Sequence, residues 1–445
     1  MQTIFQLLPA IPIALLIASS VFMTKSQVYF SMLIILPTFA FVLAAPFFGQ
    51  SGSRGISSGA VIDRINYMIC FGAPLFLGFI GFLNYSKISD IFERWKSNYA
   101  YILLSALIYF GLLLDFFLIY NARPINGIGQ SIYVPVFATL VSSISFVFVS
   151  SPRIDLDEFR RAAELMIACL NIFLALNCRI LLVEWQPALD KFASAPSDSL
   201  RFSPFAGLLN VSGRQSYFAT DAQSFAMLSL IFFTIVIASK SLLLRFVGVI
   251  AVFVVGSSTQ SRLFYLGCIL IVIFFLCERI SNNARYIRIP VILILAASNL
   301  ITPFILASPT TEGLNSLSGR TSIWRQVLDN WDLKSVFFGN SGALPMSTFS
   351  REQGSSLIFY HAHNLLLDYL WNWGILGCIF VVLLLILIVV LCGNMQTGGY
   401  LISCSLLLSG LIEPSIELQL SDKNFIAVLV LYKYASLSRI KNTEG

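Results

Sequence analysis

The chain has 445 residues, of which 57% are hydrophobic and 11% are charged, and its net charge is +6. Its mean hydropathy of +0.83 lies far outside the range of soluble globular proteins. This composition excludes a soluble enzyme and indicates an integral membrane protein that crosses the bilayer many times. We expect one membrane domain covering residues 1–445, because the polar intervals are too short for a soluble domain.

Apolar runs predict an all-α fold of about twelve or thirteen transmembrane helices, since roughly 20 apolar residues cross the hydrocarbon core. The first run lacks a basic segment and a cleavage site, so we expect a retained helix rather than a signal peptide. The candidate spans are 4–23, 27–48, 66–84, 99–120, 131–150, 162–183, 223–239, 241–257, 260–277, 288–307, 374–392, 398–412 and 423–438.

Clusters of lysine and arginine predict which ends of these helices face the cytoplasm, because cytoplasmic loops of membrane proteins are enriched in both residues. The clusters are "SPRIDLDEFRR", "SKS" with Arg245 close behind, "ERISNNARYIR" and the tail "KYASLSRIKNTEG". The two long polar loops, 184–223 and 308–373, then lie together on the outer side. Thirteen spans would place Met1 outside, whereas twelve would place both termini inside.

Three arginines lie close to membrane segments on the predicted outer side: Arg201, Arg214 and Arg262 in "GSSTQSRLFYLG". An arginine at a membrane boundary commonly extends its charge into the interface. Several arginines on one side also suit a diphosphate, because guanidinium forms bidentate bonds to phosphate oxygens and stays charged. Both interpretations are open at this point.

The second outer loop contains a predicted amphipathic helix that follows a Thr321/Ser322 cap and is flanked by Arg320 and Arg325. We expect this helix to lie on the protein or in the interface, as a lid. The turn "GNSGALP" comes after it. The apolar residues that recur at helical spacing are Ile323, Trp324, Val327, Leu328 and Trp331.

Both histidines of the chain, His361 and His363, stand directly before a long apolar run. Leucines and a tyrosine continue at helical spacing after Asn364, so we expect the histidines at an outward-facing helix N-terminus. Because imidazole titrates near neutral pH, a histidine there can accept a proton from a hydroxyl group. The alternative is that both histidines are interface residues, hydrated or in contact with lipid headgroups.

Carboxylates give weaker signals in this sequence. Asp115 in "FGLLLDFFLIY" is the most membrane-embedded one, which is typical of a functional group or of a pair, here with Arg179. Glu413 and Glu417 in "LIEPSIELQL" are candidates for lining an acceptor site. The 8 cysteines show no metal-ligand spacing, and no acidic cluster occurs outside, so we expect no metal site.

The arrangement His-Asn, nine residues, Gly, two residues, Gly is formed by His363, Asn364, Gly374 and Gly377. It resembles the signature of the bacterial O-antigen ligase and Wzy-type polysaccharide polymerase superfamily. "SGRTSIW" followed by "GNSG" is similar to that family's arginine-tryptophan helix and glycine turn, and "STQSR" to its arginine at an outer helix end. The resemblance extends from about residue 205 onward, although "FATDAQ" replaces the proline-asparagine turn that many members carry after the first-loop arginine.

The resemblance implies a GT-C-type glycosyltransferase of the bacterial inner membrane, with its large catalytic loop facing the periplasm. Such enzymes transfer a glycan from undecaprenyl diphosphate to an acceptor hydroxyl, with inversion and without a metal or other cofactor. His363 would be the general base. The residues that would bind the diphosphate are Arg214, Arg262 and Arg320, and those in supporting roles are His361, Asn364, Trp324, Gly374 and Gly377.

The acceptor stays open between a lipid-linked repeat unit, used by a polymerase, and lipid A-core, used by a ligase. We favour the polymerase because such enzymes are numerous and diverse in sequence. A more remote alternative is an exporter of lipid-linked oligosaccharides, although neither an internal repeat nor midplane histidines are seen. Membrane lipids and other polysaccharide-assembly proteins are expected partners, and nucleic acid is not.

Overall fold

The computed structural model describes residues 99–121, single positions between 139 and 175, and the ranges 222–259, 261–280, 283–307, 320–329, 336–337, 339, 362–411 and 425–437. The regular elements within these residues are all α-helices, which confirms the all-α prediction. In chain order they are α1 (Tyr99–Asn121), α2 (Ala222–Ile237), α3 (Leu242–Ser257), α4 (Arg262–Ile280), α5 (Arg285–Leu306), α6 (Arg320–Asp329), α7 (Leu365–Cys392), α8 (Thr397–Gly410) and α9 (Phe425–Leu437).

Three of the described helices, α4, α5 and α7, are long and apolar enough to cross a membrane, with 19, 22 and 28 residues. At about 1.5 Å of rise per residue, even the shortest of them approaches the thickness of the hydrocarbon core. The outward face of α4 is apolar too, since four of its side chains there are 45–58% exposed: Leu266, Ile269, Ile273 and Leu276. Apolar side chains on an outer face are expected where the surrounding medium is lipid.

Helix α2 lies inside the bundle, and every residue from Phe225 to Ile237 is buried. Glycines bring its neighbours close. A Cβ atom at Gly267 of α4 would lie 2.6 Å from a methyl group of Leu230 in α2. Small residues at such crossings matter because membrane helices associate by close van der Waals packing, with little gain from burying apolar surface.

The helices α2 to α5 alternate in direction, so their turns define two ends of the bundle. One end, which we call the basic end, holds the turns α2–α3, α4–α5 and α7–α8. Arg288 of α5 forms an ion pair with Glu278 near the end of α4 and donates to the carbonyl of Met395. The hydroxyl of Thr397, which begins α8, donates to Glu278 Oε1 at 2.7 Å.

Charged side chains are also paired on the outside of the basic end. Lys240, in the α2–α3 turn, lies 2.7 Å and 2.9 Å from the two carboxylate oxygens of Asp157. The hydrogen bond from Lys240 lowers the pKa of Asp157. Two of the lysine- and arginine-rich segments, "SKS" and "ERISNNARYIR", flank turns at this end. The prediction that this end faces the cytoplasm therefore applies to the whole basic end.

Helix α7 begins at Leu365, as the helical spacing after Asn364 predicted, so the apolar span is longer than the expected 374–392 and contains a break at Gly374. Asp368 and Asn372 have hydrogen-bond partners within the protein in this added part. One helix start differs from the sequence prediction. The Thr321/Ser322 cap is wrong. The backbone is already helical at Arg320, so Thr321 lies inside the first turn of α6 instead of preceding it. Trp331, which was expected to extend this helix, lies outside the described residues.

Candidate functional site

The segment Ala362–Asn364 enters α7 at the end of the bundle opposite the basic end. Asn364 has an extended backbone and its Oδ1 atom accepts the N–H groups of Leu366 at 3.0 Å and Leu367 at 3.1 Å. It thereby satisfies two of the four N–H groups that lack a partner within the helix. His363 comes directly before this cap, which confirms the prediction that it lies at a helix N-terminus.

The amide of Asn364 also joins two helices. Its Nδ2 atom donates to the carbonyl of Gly410 at 3.4 Å and to that of Leu411 at 3.5 Å, where α8 ends. The cap therefore needs a side chain that both accepts and donates, which an amide provides and an ionised carboxylate does not. The start of α7 and the end of α8 are held together on this side of the bundle.

Ala362 is held by hydrogen bonds on both sides of its backbone. Its N–H donates to Asp368 Oδ1 at 2.8 Å, and its carbonyl accepts from Trp324 Nε1 at 2.8 Å. These side chains are largely removed from solvent, since Trp324 is 1% exposed and Asp368 is 8% exposed. The indole of the amphipathic helix α6 is therefore bonded to the residue next to His363.

His363 has a left-handed backbone, with φ 51°, and is the one described residue other than glycine with positive φ. This conformation costs on the order of 1–3 kcal/mol and persists only where the surroundings impose it. The anchored residues Ala362 and Asn364 supply that restraint on both sides. The His363 side chain itself is partly exposed. Backbone strain of this kind is concentrated at functional sites.

The strain can be measured by comparing two variants that both lack the imidazole. We expect His363→Gly to unfold at a higher temperature than His363→Ala, by about 1 kcal/mol in stability, because glycine adopts positive φ without a steric penalty. Thermal unfolding of both proteins in the same detergent measures the difference. Equal melting temperatures, or a more stable alanine variant, would show that the backbone of His363 is unstrained.

Helix α6 separates two arginines that looked equivalent in the sequence. Arg325 donates from Nε to the carbonyl of Ala307 at 3.1 Å and so bonds the last turn of α5. Arg320 begins α6 one turn before Trp324, so the two residues lie on the same side of the helix. Arg320 therefore lies on the side of α6 that bonds the histidine segment through Trp324.

Arg262 begins α4 and its side chain is exposed, as expected for the arginine at an outer helix end. The opposite end of α4 carries Glu278, which belongs to the basic end through Arg288. Arg262 therefore lies at the same end of the bundle as His363. Hydroxyl groups before it are used within the turn, since Ser258 and Thr259 donate to carbonyls of α3 at 2.6 Å and 2.7 Å.

The glycines of the motif form a contact between two backbones. Helix α7 breaks at Gly374, which has φ 58° and ψ −139°. A Cβ atom there would lie 2.5 Å from the carbonyl oxygen of Val336 and 2.8 Å from the nitrogen of Gly339. Gly339, the first residue of "GNSG", has φ 69° and rests on the carbonyl of Asn372. Gly377 faces the carbonyl of Tyr369 on the other side of the break.

Several predicted site residues lie outside the described part of the chain, and their roles stay predictions. They are Arg201, Arg214, His361, Arg179, Glu413 and Glu417; Asp115 lies in α1, but its side chain is also outside the description. Sequence reasoning missed Asp368 and Asn372. The available signal was their position after the histidines, because two polar residues in the first turns of an apolar helix need partners inside the protein.

Comparison with known families gives a match for the part of the chain that carries these features. Residues 225–382 match the family model Wzy_C, O-antigen ligase. This stretch is similar to the O-antigen ligase family. The matched stretch contains Arg262, Arg320, Trp324, His363 and both glycines of the α7 break, which confirms the predicted resemblance. Arg214 lies before it.

No curated protein and no solved structure matches the chain. The function class of an O-antigen ligase or polymerase therefore rests on the family match, together with apolar helices that agree with a membrane enzyme of this type.

Proposed function

We propose that the protein is a Wzy-type polymerase of the bacterial inner membrane. It transfers a growing glycan from undecaprenyl diphosphate to a hydroxyl group of a lipid-linked repeat unit at the periplasmic face. The observation that carries the proposal is the partly exposed His363, fixed by the cap of α7 at the end of the bundle where Arg262 also lies. A proton acceptor and cations on one face meet the needs of this reaction.

In the proposed reaction, the imidazole of His363 accepts the proton of the acceptor hydroxyl as its oxygen attacks the anomeric carbon. The bond from that carbon to the diphosphate oxygen breaks, and the electron pair leaves with the diphosphate. Attack from the face opposite the leaving group inverts the configuration. The histidine then releases its proton to water, and the lipid diphosphate departs with the charge that it acquired.

Arginine is suited to the departing diphosphate because guanidinium remains charged and binds phosphate oxygens in a bidentate manner. Arg262 of α4 and Arg320 of α6 come from different helices, so they can contact a diphosphate from two directions, with Arg214 as a third cation. Such preorganised charges stabilise the leaving group as its charge develops. We propose that these arginines take the role that a metal ion has in other glycosyltransferases, so that transfer does not require one.

The family description favours a second acceptor, since the matching model is that of O-antigen ligase. In this candidate function the same base and cations act, and finished O-antigen moves to lipid A-core. The two reactions share the donor and differ in the acceptor hydroxyl. A transfer assay with both acceptors therefore separates them.

The first experiment is transfer by the purified protein in EDTA, with an undecaprenyl-diphosphate oligosaccharide and either acceptor. We expect product on the lipid-linked repeat unit. Product on lipid A-core alone would replace the polymerase by the ligase. Absence of transfer to both, together with movement of the donor across vesicle membranes, would replace the enzyme by an exporter. Loss of activity in EDTA that added Mg²⁺ restores would refute metal independence.

Helix α4 offers a matched pair of variants for the role of Arg262. Arg262→Gln is expected to weaken donor binding and lower transfer by about 100-fold, because one charge-assisted contact to the diphosphate is worth a few kcal/mol. Arg279→Gln removes an exposed arginine from the other end of the same helix, where it lies 5.2 Å from the ring centre of Phe275. Equal activities of the two variants would exclude Arg262 from the donor site.

A further inference from the structure

Asp368 is a buried carboxylate at the beginning of α7 that the proposed reaction does not use. It is 8% exposed, lies in the first turn of the helix and accepts from Ala362 N–H at 2.8 Å. Its other oxygen lies 3.5 Å from Asn372 Nδ2. Burying a carboxylate is costly, although a helix N-terminus and hydrogen bonds to the ionised form offset part of that cost. A buried carboxylate at this position suggests that it holds the backbone of Ala362, whose N–H it accepts.

The bonds to Ala362 fix the two peptide planes that lead to His363. The carbonyl of Ala362 belongs to the same planar unit as the nitrogen of His363, and Trp324 Nε1 holds that carbonyl. Asp368 holds the N–H of the preceding plane. These two planes flank the Cα atom of Ala362, so the two bonds fix the direction in which the chain enters His363, whose backbone has φ 51°. The cap of Asn364 restrains the chain on the other side.

We propose that Asp368 is a positioning residue that keeps the imidazole of His363 in place for proton transfer, with Trp324 as the second restraint on the same backbone. This inference rests on the proposed function, because it assumes that His363 is the general base. Trp324 lies one turn after Arg320 in α6. The restraint therefore also couples the helix that carries a donor-binding arginine to the residue that activates the acceptor.

The proposal requires that residue 368 has a side-chain oxygen that accepts the N–H of Ala362; it does not require the negative charge of Asp368. Asp368→Ala removes the oxygen, and we expect kcat to fall by about 10- to 100-fold while KM for the donor stays unchanged, since displacement of a reacting group by about 1 Å has effects of this size. Asp368→Asn keeps an oxygen for the N–H of Ala362 and is expected to recover most of kcat. Both are measured per folded, monodisperse protein in detergent.

A second variant tests the same restraint from the other helix. Trp324→Phe keeps an aromatic ring but removes the N–H donor, and it is expected to lower kcat in the same way. Because both side chains act on the one Ala362 backbone, the double variant should lose less activity than the product of the single losses. If Asp368→Ala does not fold, Trp324→Phe is the test of the restraint on Ala362. A lower kcat in Trp324→Phe would support the proposal, and an unchanged kcat would overturn it.

The control is Thr234→Val, which removes a buried hydrogen bond to the carbonyl of Leu230 at 2.7 Å in α2, away from His363. A purely structural role for Asp368 would make its alanine variant resemble this control, with a lower melting temperature and unchanged kcat, and this result would overturn the proposal. Unchanged kcat in Asp368→Ala beside an inactive His363→Ala would refute the positioning role alone. Activity in His363→Ala would refute the proposed base and the positioning role together.

Discussion

His363→Gly is expected to abolish glycan transfer, and free imidazole is expected to restore part of it. Loss of a general base lowers rates by about 100- to 10,000-fold. The glycine variant is the sharper choice because it tolerates the φ of 51° and so leaves the backbone of the helix entry unchanged. The space of the lost ring is then available to an imidazole from solution that accepts the same proton.

Measuring donor affinity shows whether His363→Gly affects only proton transfer or also disturbs the donor site. The affinity for undecaprenyl-diphosphate oligosaccharide should be the same in His363→Gly and in the unaltered protein, because the proposed donor contacts come from arginines. Measurement of donor binding and of transfer in the same detergent gives both quantities. Transfer within tenfold of the unaltered protein, without added imidazole, would remove His363 from the proton-transfer step.

Gly374→Ala is expected to destabilise the fold strongly. A methyl group there would meet the carbonyl oxygen of Val336 and the nitrogen of Gly339 at 2.5 Å and 2.8 Å, and these backbone atoms cannot rotate away. The φ of 58° with ψ −139° adds a conformation that essentially only glycine adopts. We expect a loss on the order of 4 kcal/mol in stability.

The matched control lies at the other end of the same helix. Gly393 has a helical backbone with φ −59°, and a methyl group there would meet the ends of the Arg285 and Ile289 side chains at 3.3 Å. Gly393→Ala should therefore change the melting temperature little. If Gly374→Ala yields as much folded protein and melts at the same temperature as Gly393→Ala, the close contact at the break of α7 is absent.

Hydropathy and helical spacing were sufficient to predict the helices that bring the site together. The start of α4 at Arg262 and the position of His363 before a helix follow from local patterns, since an apolar run bounded by polar residues needs no knowledge of distant contacts. The amphipathic helix was predicted for the same reason. Its first residue was not predicted, because Thr321 and Ser322 are typical N-cap residues but lie inside the first turn here.

The features that hold His363 were beyond sequence reasoning because they depend on residues that are distant in the chain. The difference between Arg320 and Arg325 arises from the carbonyl of Ala307, and the second role of Asn364 arises from the end of α8. The spacing of Gly374 and Gly377 could be seen in the sequence, but the reason that glycine is needed at both positions could not. A glycine pattern does not reveal that the backbone near Gly339 approaches it.

The contact at the break of α7 has a consequence for which changes of sequence this chain can tolerate. The backbone of Gly339 packs against the carbonyl of Asn372 in α7. Further along the chain, the N–H of Ala362 donates to Asp368 of the same helix. Residues 340–361 thus connect two fixed points on one helix, and the cost of closing a loop rises only slowly with its length. Insertions, deletions or exchanges within 340–361 are therefore expected to leave intact the hydrogen bonds that hold Ala362 and Asn364.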